Sequence, residues 1–356
     1  MQVFRGLHHA KLTQAGPSAV TVGNFDGVHR GHQAMLALLK SEAEHRGLVA
    51  TALTFEPHPR DFFAAQAGTP ERAPARIATL RDKLGELSRC GIDRVVVMPF
   101  DARFAGQSPQ AFINDVLLGS LDARYVLVGD DFRFGARRAG DYAMLDLAGE
   151  ASGFDVARMM SYEVHGLRVS SSAVREALAS GDMALAARLL GRPYSISGHV
   201  VHGRKLGRAL GAGAAGDDGF RTLNLRFPHR LAAASGIFVV RVQGLGSETL
   251  DGVASLGVRP TVENAGRVLL EVHCLDWPAS LGAEGGYGRL VRVELLHKLR
   301  DEARYDGLAD LTAAIARDVS EARTWLAAAA IGSAALATGS HAAELRQTTR
   351  DRIRGS

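Results

Sequence analysis

Residues 20–36, VTVGNFDGVHRGHQAML, join an apolar β run to a helical pattern through Gly23, Gly27 and Gly31, with His29 and His32 spaced as His-x-Gly-His. An apolar run that breaks at glycine and resumes with helical spacing reads as a strand-to-helix turn. Met35, Leu38, Leu39 and Ala43 line one face of a helix over 35–46, and Gly47 stands where that helix stops. The turn therefore lies at a helix N-terminus, where free N–H groups and the helix dipole favour an anion. Glycines let the backbone approach phosphate, and two imidazoles add donors for charge developing on phosphorus. Two histidines near a turn are ordinarily structural or merely exposed, but the strand before and the helix after favour a nucleotide cradle.

Outward from this turn, short β runs (AVTVG, ATALTF, RVVVMPF, RYVLVG) alternate with helical patterns to about residue 160. This alternation predicts an α/β domain with a doubly wound parallel sheet. The helical strings SSAVREALASG and DMALAARLLG lead to Gly191, after which β runs dominate: YSISGHVV, TLNLRF, GIFVVRV, VLLEVHCLD and RLVRVELL. They predict a small β-barrel-like second domain closed by a helix over 308–326. The boundary is expected between Ser180 and Tyr194, giving domains 1–185 and 186–326. Residues 327–356 lack apolar periodicity at their end and are expected to form a flexible tail.

A chain of 356 residues with 46% hydrophobic and 22% charged residues is large enough for two ordinary cores. Its net charge of +4 suits anionic partners without choosing among nucleotides, flavin phosphates and nucleic acid. Cys90 and Cys274 are the only cysteines, which excludes a disulfide framework and a cysteine zinc site and fits a reducing cytoplasm. MQVFRGLHHAKLTQAG is too mixed in charge and polarity for a secretory signal. The apolar run over 325–337 is far short of the roughly 20 residues a bilayer span needs.

At GNFDGVHRGH the sequence resembles the FAD synthetase branch of the His-x-Gly-His nucleotidyltransferases. The likeness continues in order through FEPHPRDFF (55–63), VGDDFRFGARRAGD (128–141) and VSSSAVREAL (169–178). It implies adenylyl transfer from ATP to FMN with release of pyrophosphate and with magnesium on the phosphates. It assigns His29 and His32 to the ATP phosphates as catalytic groups, and Gly23, Asn24, Phe25, Asp26, Gly31, Ser171 and Arg175 to nucleotide binding. Ser170 and Ser171 equally suit a helix N-cap. Asp131, Phe132 and Phe134 follow a buried strand, where α/β sheets place ligands, and are expected to wall a flavin. The alternative is that both rings are core and Arg133 pairs with a carboxylate. The role of His58 stays open.

The chain has no Walker P-loop, but GHVVHGRKLGRALG (198–211) is a glycine-rich basic turn after a β run. Thr222 and Asn224, on one face of the next strand, offer hard oxygen ligands for magnesium. Together with GVRPT (257–261), LLEVHCLD (269–276) and LRDEARYD (299–306), this resembles riboflavin kinase. The resemblance implies ATP phosphates at Gly203, Lys205, Gly207 and Arg208. It makes Glu271 the general base for the ribityl hydroxyl and places Arg300, Glu302 and Tyr305 around the flavin. Without it, Glu271 reads as an outward strand carboxylate. The segment 212–219, AGAAGDDG, is an insertion relative to that pattern, and Arg221 stands where proline is usual.

The expected partners are riboflavin, FMN and ATP, with no nucleic acid and no membrane, leaving room for a homo-oligomer. One alternative is an adenylyltransferase with a degenerate kinase domain. Another is an RNA-binding protein with an OB-like barrel, against which stands an aromatic content of 6% without an aromatic stripe in the barrel strands. A third is a His-x-Gly-His transferase acting on pantetheine or nicotinamide phosphates.

Overall fold

The computed structural model describes residues 1–9, 12, 16–164, 166–202, 222–229, 231–258, 268–282 and 284–354, with side chains to residue 331. The chain divides into two units, Met1–Ser197 with Phe227–Ala234 and Gly266–Val268, and the remainder.

The first unit holds a six-stranded sheet of β1 (Gln2–Arg5), β2 (Ser18–Val22), β3 (Val49–Glu56), β4 (Arg94–Pro99), β5 (Ala123–Gly129) and β6 (Asp155–Met159) in the order β1-β4-β3-β2-β5-β6. All its pairings are parallel. The strands alternate between two cores, as a sheet covered on both faces requires. On one face Ala19, Ala50, Ala52, Val95, Val97 and Leu127 meet Leu36, Leu39 and Ala43 of helix α1 (Arg30–Arg46) and Leu87 of the helix Leu80–Arg89. On the other, Val20, Val22, Val96, Val126 and Val128 meet the helical stretch Phe112–Leu118 and Leu145 of the helix Tyr142–Ser152. Leu39 is fully buried, and truncating such a leucine to alanine costs about 2–5 kcal/mol. The chain runs outward from β2 through β3 and β4, then returns to build β5 and β6 on the other side. The sheet therefore reverses at the carboxyl ends of β2 and β5, where open α/β sheets leave a ligand crevice.

The second unit carries most of a closed barrel in the order β10-β13-β12-β11-β14-β9, where β9 is Tyr194–Val201, β10 Thr222–Arg226, β11 Gly236–Gln243, β12 Leu250–Val258, β13 Val268–Cys274 and β14 Leu290–Arg300. A β-ribbon of β7 (Glu163–Val164) and β8 (Leu167–Arg168) precedes it in the chain. The helix Leu308–Arg354 packs on the barrel through Ala322, Val319, Trp325 and Leu326, which meet Ile237, Val239 and Val253.

The expected α/β sheet and barrel are both present, with corrections. The helix α1 begins at Arg30, not Met35, because His29 caps it. The strands β1, β6 and β12 had no expected counterpart. The closing helix, expected over 308–326, runs over Leu308–Arg354, in a stretch where alanine, leucine and glutamate favour helix without any apolar period.

Candidate functional sites

The turn after β2 is backbone held out of its usual range. Phe25 (φ 48°), Gly27 (φ 81°) and Val28 (φ 40°) all lie in the left-handed region. Phe25 and Val28 accept that strain because both are about fully buried, each 1% exposed. At Gly27 a Cβ would stand 2.6 Å from Ile77 Cγ2, so no side chain fits.

His29 Nδ1 accepts a hydrogen bond from the His32 backbone N–H at 3.3 Å. That acceptor role leaves Nε2 to carry the proton. The two imidazoles stack with centroids 3.7 Å apart and planes at 16°. Burial, with Arg175 and Arg192 adding to it against Asp26, pushes His29 down to about 4. Burial and the neighbouring His29 and Lys83 likewise hold His32 well below the usual imidazole range. Both rings are thereby held neutral at pH 7.

Asp26 and Phe25 depart from the expected direct contact with nucleotide. Asp26 is 1% exposed and accepts from Ile77 N–H, Ala78 N–H (3.1 Å) and Arg175 Nη2 (2.6 Å). Burial alone would raise its carboxyl, but Arg76, Arg175 and the Ala78 N–H hold it below the usual range. It is an internal anchor, and Phe25 packs edge-on beneath His32 at 5.2 Å. Arg175, on the helix Ser171–Ser180, is fixed by Asp26 and by Ala75 O at 2.7 Å. Ser170 is the N-cap of that helix, its Oγ accepting from Ala173 N–H at 3.2 Å, while the Ser171 hydroxyl donates to Asp26 O at 3.2 Å. Asn24 stays exposed at the mouth, and its carbonyl accepts from Thr54 Oγ1. At Gly31 a Cβ would crowd the His29 ring and Val169 O at 3.3 Å. His58 is a helix cap, its Nδ1 accepting from Arg60 N–H at 3.1 Å.

Beyond β5, Asp131 is exposed and Phe132 half-buried, but Phe134 is only 6% exposed. Phe134 is a core residue between Phe112 (5.4 Å) and Phe132 (5.5 Å), which corrects its placement on the flavin wall. Arg133 pairs with Asp141 at 3.3 Å. The reading of the sequence overlooked the aromatic cluster that continues from Phe112 through Phe104 (6.3 Å) to Phe100 (5.7 Å), around which Phe55, Phe62 and Phe63 gather at 5.5–5.7 Å. Phe63 is 51% exposed. These rings come from separate strings, and FEPHPRDFF alone carried a signal. Arg76, 2% exposed among Asp26, Glu56 and Asp61, was also overlooked, as was Lys83, fully buried with Nζ 3.2 Å from Thr54 Oγ1. Burial, with Arg76 adding to it, lowers Lys83 to about 8.

In the barrel, β10 pairs with β13 so that Asn224 stands opposite Glu271 and Thr222 opposite His273. Directly paired residues share a face, so the expected magnesium donors and base converge on one patch. Asn224 is 5% exposed. Arg300, at the end of β14, is gripped by both oxygens of Asp318 (2.7 and 2.6 Å) with its guanidinium 5.9 Å from the Tyr305 ring. Glu302 accepts from Ser255 Oγ at 2.8 Å, lying over Gly257, where any Cβ would collide with it. Gly203, Lys205, Gly207, Arg208, the insertion 212–219 and Arg221 lie outside the described residues.

The strained glycine turn with paired imidazoles at a sheet reversal, followed by a six-stranded barrel with an Asn–Glu pair, defines a nucleotidyltransferase joined to a barrel kinase. The FAD synthetase family matches residues 11–173 and the riboflavin kinase family residues 190–326. The chain belongs to the bifunctional riboflavin kinase/FMN adenylyltransferase family. Relatives of that name are 44% identical in Escherichia coli K12 (91% of this chain, 97% of the relative), 43% in Pseudomonas fluorescens (93% and 99%) and 40% in Haemophilus influenzae (91% and 99%). A crystal structure described as a macrolide-efflux protein from Streptococcus pneumoniae is 25% identical, with a TM-score of 0.72 over 91% of this chain and 100% of that one. Among the described residues no helix is long and apolar enough to cross a membrane.

Proposed function

We propose that this chain makes FMN from riboflavin in its barrel and FAD from FMN at the His29–His32 turn, with ATP as co-substrate of both steps and magnesium on the phosphates. The enzyme is a transferase acting in the cytoplasm on riboflavin, FMN and ATP. The observation that carries the two-step reading is the register that puts Asn224 opposite Glu271, because a degenerate barrel has no reason to keep an amide and a carboxylate facing each other.

In the first step the Glu271 carboxylate takes the proton of the ribityl 5′-hydroxyl as its oxygen attacks the γ-phosphorus and ADP leaves. Thr222 and Asn224 offer neutral hard oxygens on one strand face and fit a hydrated magnesium ion that takes its remaining ligands from phosphate. Bound there, magnesium neutralises phosphate charge. The described residues contain no cluster of three histidine, cysteine or carboxylate groups that would make an all-protein metal cage.

In the second step an FMN phosphate oxygen attacks the α-phosphorus of ATP and the bond to pyrophosphate breaks. No proton needs removing, so neutral imidazoles suffice: His29 Nε2–H and His32 donate to the phosphate oxygens, and Arg175 supplies the fixed positive charge. Phe132 and the exposed Phe63 offer faces for the isoalloxazine ring.

The test is to incubate the purified chain with magnesium and ATP plus riboflavin, and in parallel plus FMN, and to separate the flavins over time. Riboflavin passing through FMN to FAD supports both steps. FAD from FMN with no FMN from riboflavin favours a disabled kinase, and removing 212–219 then asks whether the insertion is responsible.

A further inference from the structure

The strained backbone at Gly27 and Val28 is held from outside the turn. Arg192 follows Gly191, the left-handed cap of the helix Met183–Leu190. Its Nη2 donates to Gly27 O at 2.7 Å, and its Nη1 to Val28 O at 3.1 Å and Leu190 O at 3.0 Å. Its Nε meets Glu86 Oε1 at 3.2 Å, and the side chain is 19% exposed. Gln33, one turn into α1, donates to the same two carbonyls, Val28 O at 2.8 Å and Leu190 O at 2.7 Å. At Gly191 a Cβ would meet Gln33 and Arg30 at 3.1–3.3 Å, so the approach needs glycine.

We infer that Arg192 is a positioning residue for adenylyl transfer, its guanidinium fork clamping the two successive peptide planes that lead into His29. A planar peptide with its carbonyl fixed has its N–H and its next Cα fixed as well. Two such planes in sequence set where the imidazole begins, and they do so where left-handed backbone at Phe25 and Val28 would otherwise relax. Arginine suits the task because its fork reaches several acceptors in one plane, which a lysine ammonium does not reproduce. Arg192 also brings charge. The groups acting on His29 are Asp26 within the turn, His32 stacked from α1, Arg175 from the helix Ser171–Ser180, and Arg192. Arg192 is thus one of two cations opposing protonation of that ring. It lies inside the stretch matched by the riboflavin kinase family, yet Gly27, Val28 and Glu86, which it contacts, lie in the stretch matched by FAD synthetase.

This inference rests on adenylyl transfer occurring at the His29 turn, so the full-length chain is compared as wild type, Arg192→Gln, Arg192→Lys and His29→Ala. Each is assayed for FAD from FMN across pH, for FMN from riboflavin, and for thermal midpoint. Arg192→Gln is expected to lower kcat for FAD formation at least tenfold, with KM for FMN and ATP changed less than threefold, and to move the acid limb of the profile to higher pH. Arg192→Lys, keeping charge without the fork, is expected to lose rate while leaving the acid limb in place. Riboflavin phosphorylation should stay within twofold of wild type in both. Wild-type FAD formation by a folded Arg192→Gln protein, or equal losses in both reactions, overturns the inference. Should Arg192→Gln not fold, Arg192→Lys decides, and an unchanged kcat there overturns it. FAD formation that survives in His29→Ala indicts the site itself, whereas a silent His29→Ala beside unaffected Arg192 variants rejects only the clamp.

Discussion

Asn224 and Glu271 stand directly opposite each other across the antiparallel ladder of β10 and β13. Residues from strings nearly fifty positions apart thus form one side-chain pair, with Cβ atoms about 5 Å apart in such a pair. A neutral amide beside a carboxylate suits a base that must accept a proton while a phosphate-bound cation sits nearby.

Replacing Glu271 by Gln keeps shape and hydrogen bonding but removes the proton acceptor. FMN formation should fall by about 10²–10⁴-fold. FAD formation from supplied FMN should be unaffected. Parallel assays of the two steps on one preparation check this, and a kinase rate within a few-fold of wild type would remove Glu271 from its role.

The reciprocal dissection uses His29→Ala. Losing one preorganised donor to a developing phosphoryl charge typically costs on the order of 3 kcal/mol, a hundredfold or more in rate. FAD should cease to accumulate while FMN builds up from riboflavin. Chromatography of the flavins at successive times reads both effects together.

Asp26→Ala tests an anchor. Removing the carboxylate takes from the buried Arg76 and the partly exposed Arg175 their shared counter-charge, and breaking a buried pair this way costs roughly 3–5 kcal/mol. The denaturant midpoint should fall accordingly, and FAD formation should weaken even under conditions where the protein stays folded, because Arg175 loses its orientation. A midpoint unchanged from wild type would show that Asp26 anchors nothing.

Acid should destabilise the first unit through its histidines. Burial lowers His29 to about 4, His58 to about 3 and His229 to about 4, with Arg76 contributing at the last two. An unfolded chain takes up protons near 6.5, before these folded sites do. The unfolded state binds more protons between about 6.5 and 4, so stability is full above that window and is lost as pH falls through it. Thermal midpoints measured from pH 7.5 to 4.5 should decline, and His58→Asn, which retains a capping oxygen but cannot titrate, should flatten the decline.

The sheet and barrel were legible because each strand that matters carries a dense apolar run, as in AVTVG and GIFVVRV. The strands that escaped are those whose sequences do not look like strands. QVFR is four residues beside a charged segment, and LDGVASLGV is broken by two glycines, one of which admits Glu302. The catalytic candidates were legible because glycine and histidine at fixed spacing leave a local signature. Arg76, Lys83 and Arg192 were not, since a cation that ends up buried beneath a turn looks in sequence like any surface cation, and only the fold supplies its partners. Asp26 and Phe134 erred the other way, sitting in ligand-like strings while their side chains serve the interior.

Closure of the barrel has a consequence for association. An open sheet offers its outermost strand as a template for another chain, the route by which β proteins swap segments or polymerise. Here every described barrel strand has a neighbour on both sides, so the barrel itself offers no such template. The parallel sheet of the first unit does end in two outer strands, β1 and β6, and both are short, at four and five residues. Among the described residues a backbone-mediated β-addition would have to begin at one of those brief edges or at the two-residue strands of the β7–β8 ribbon.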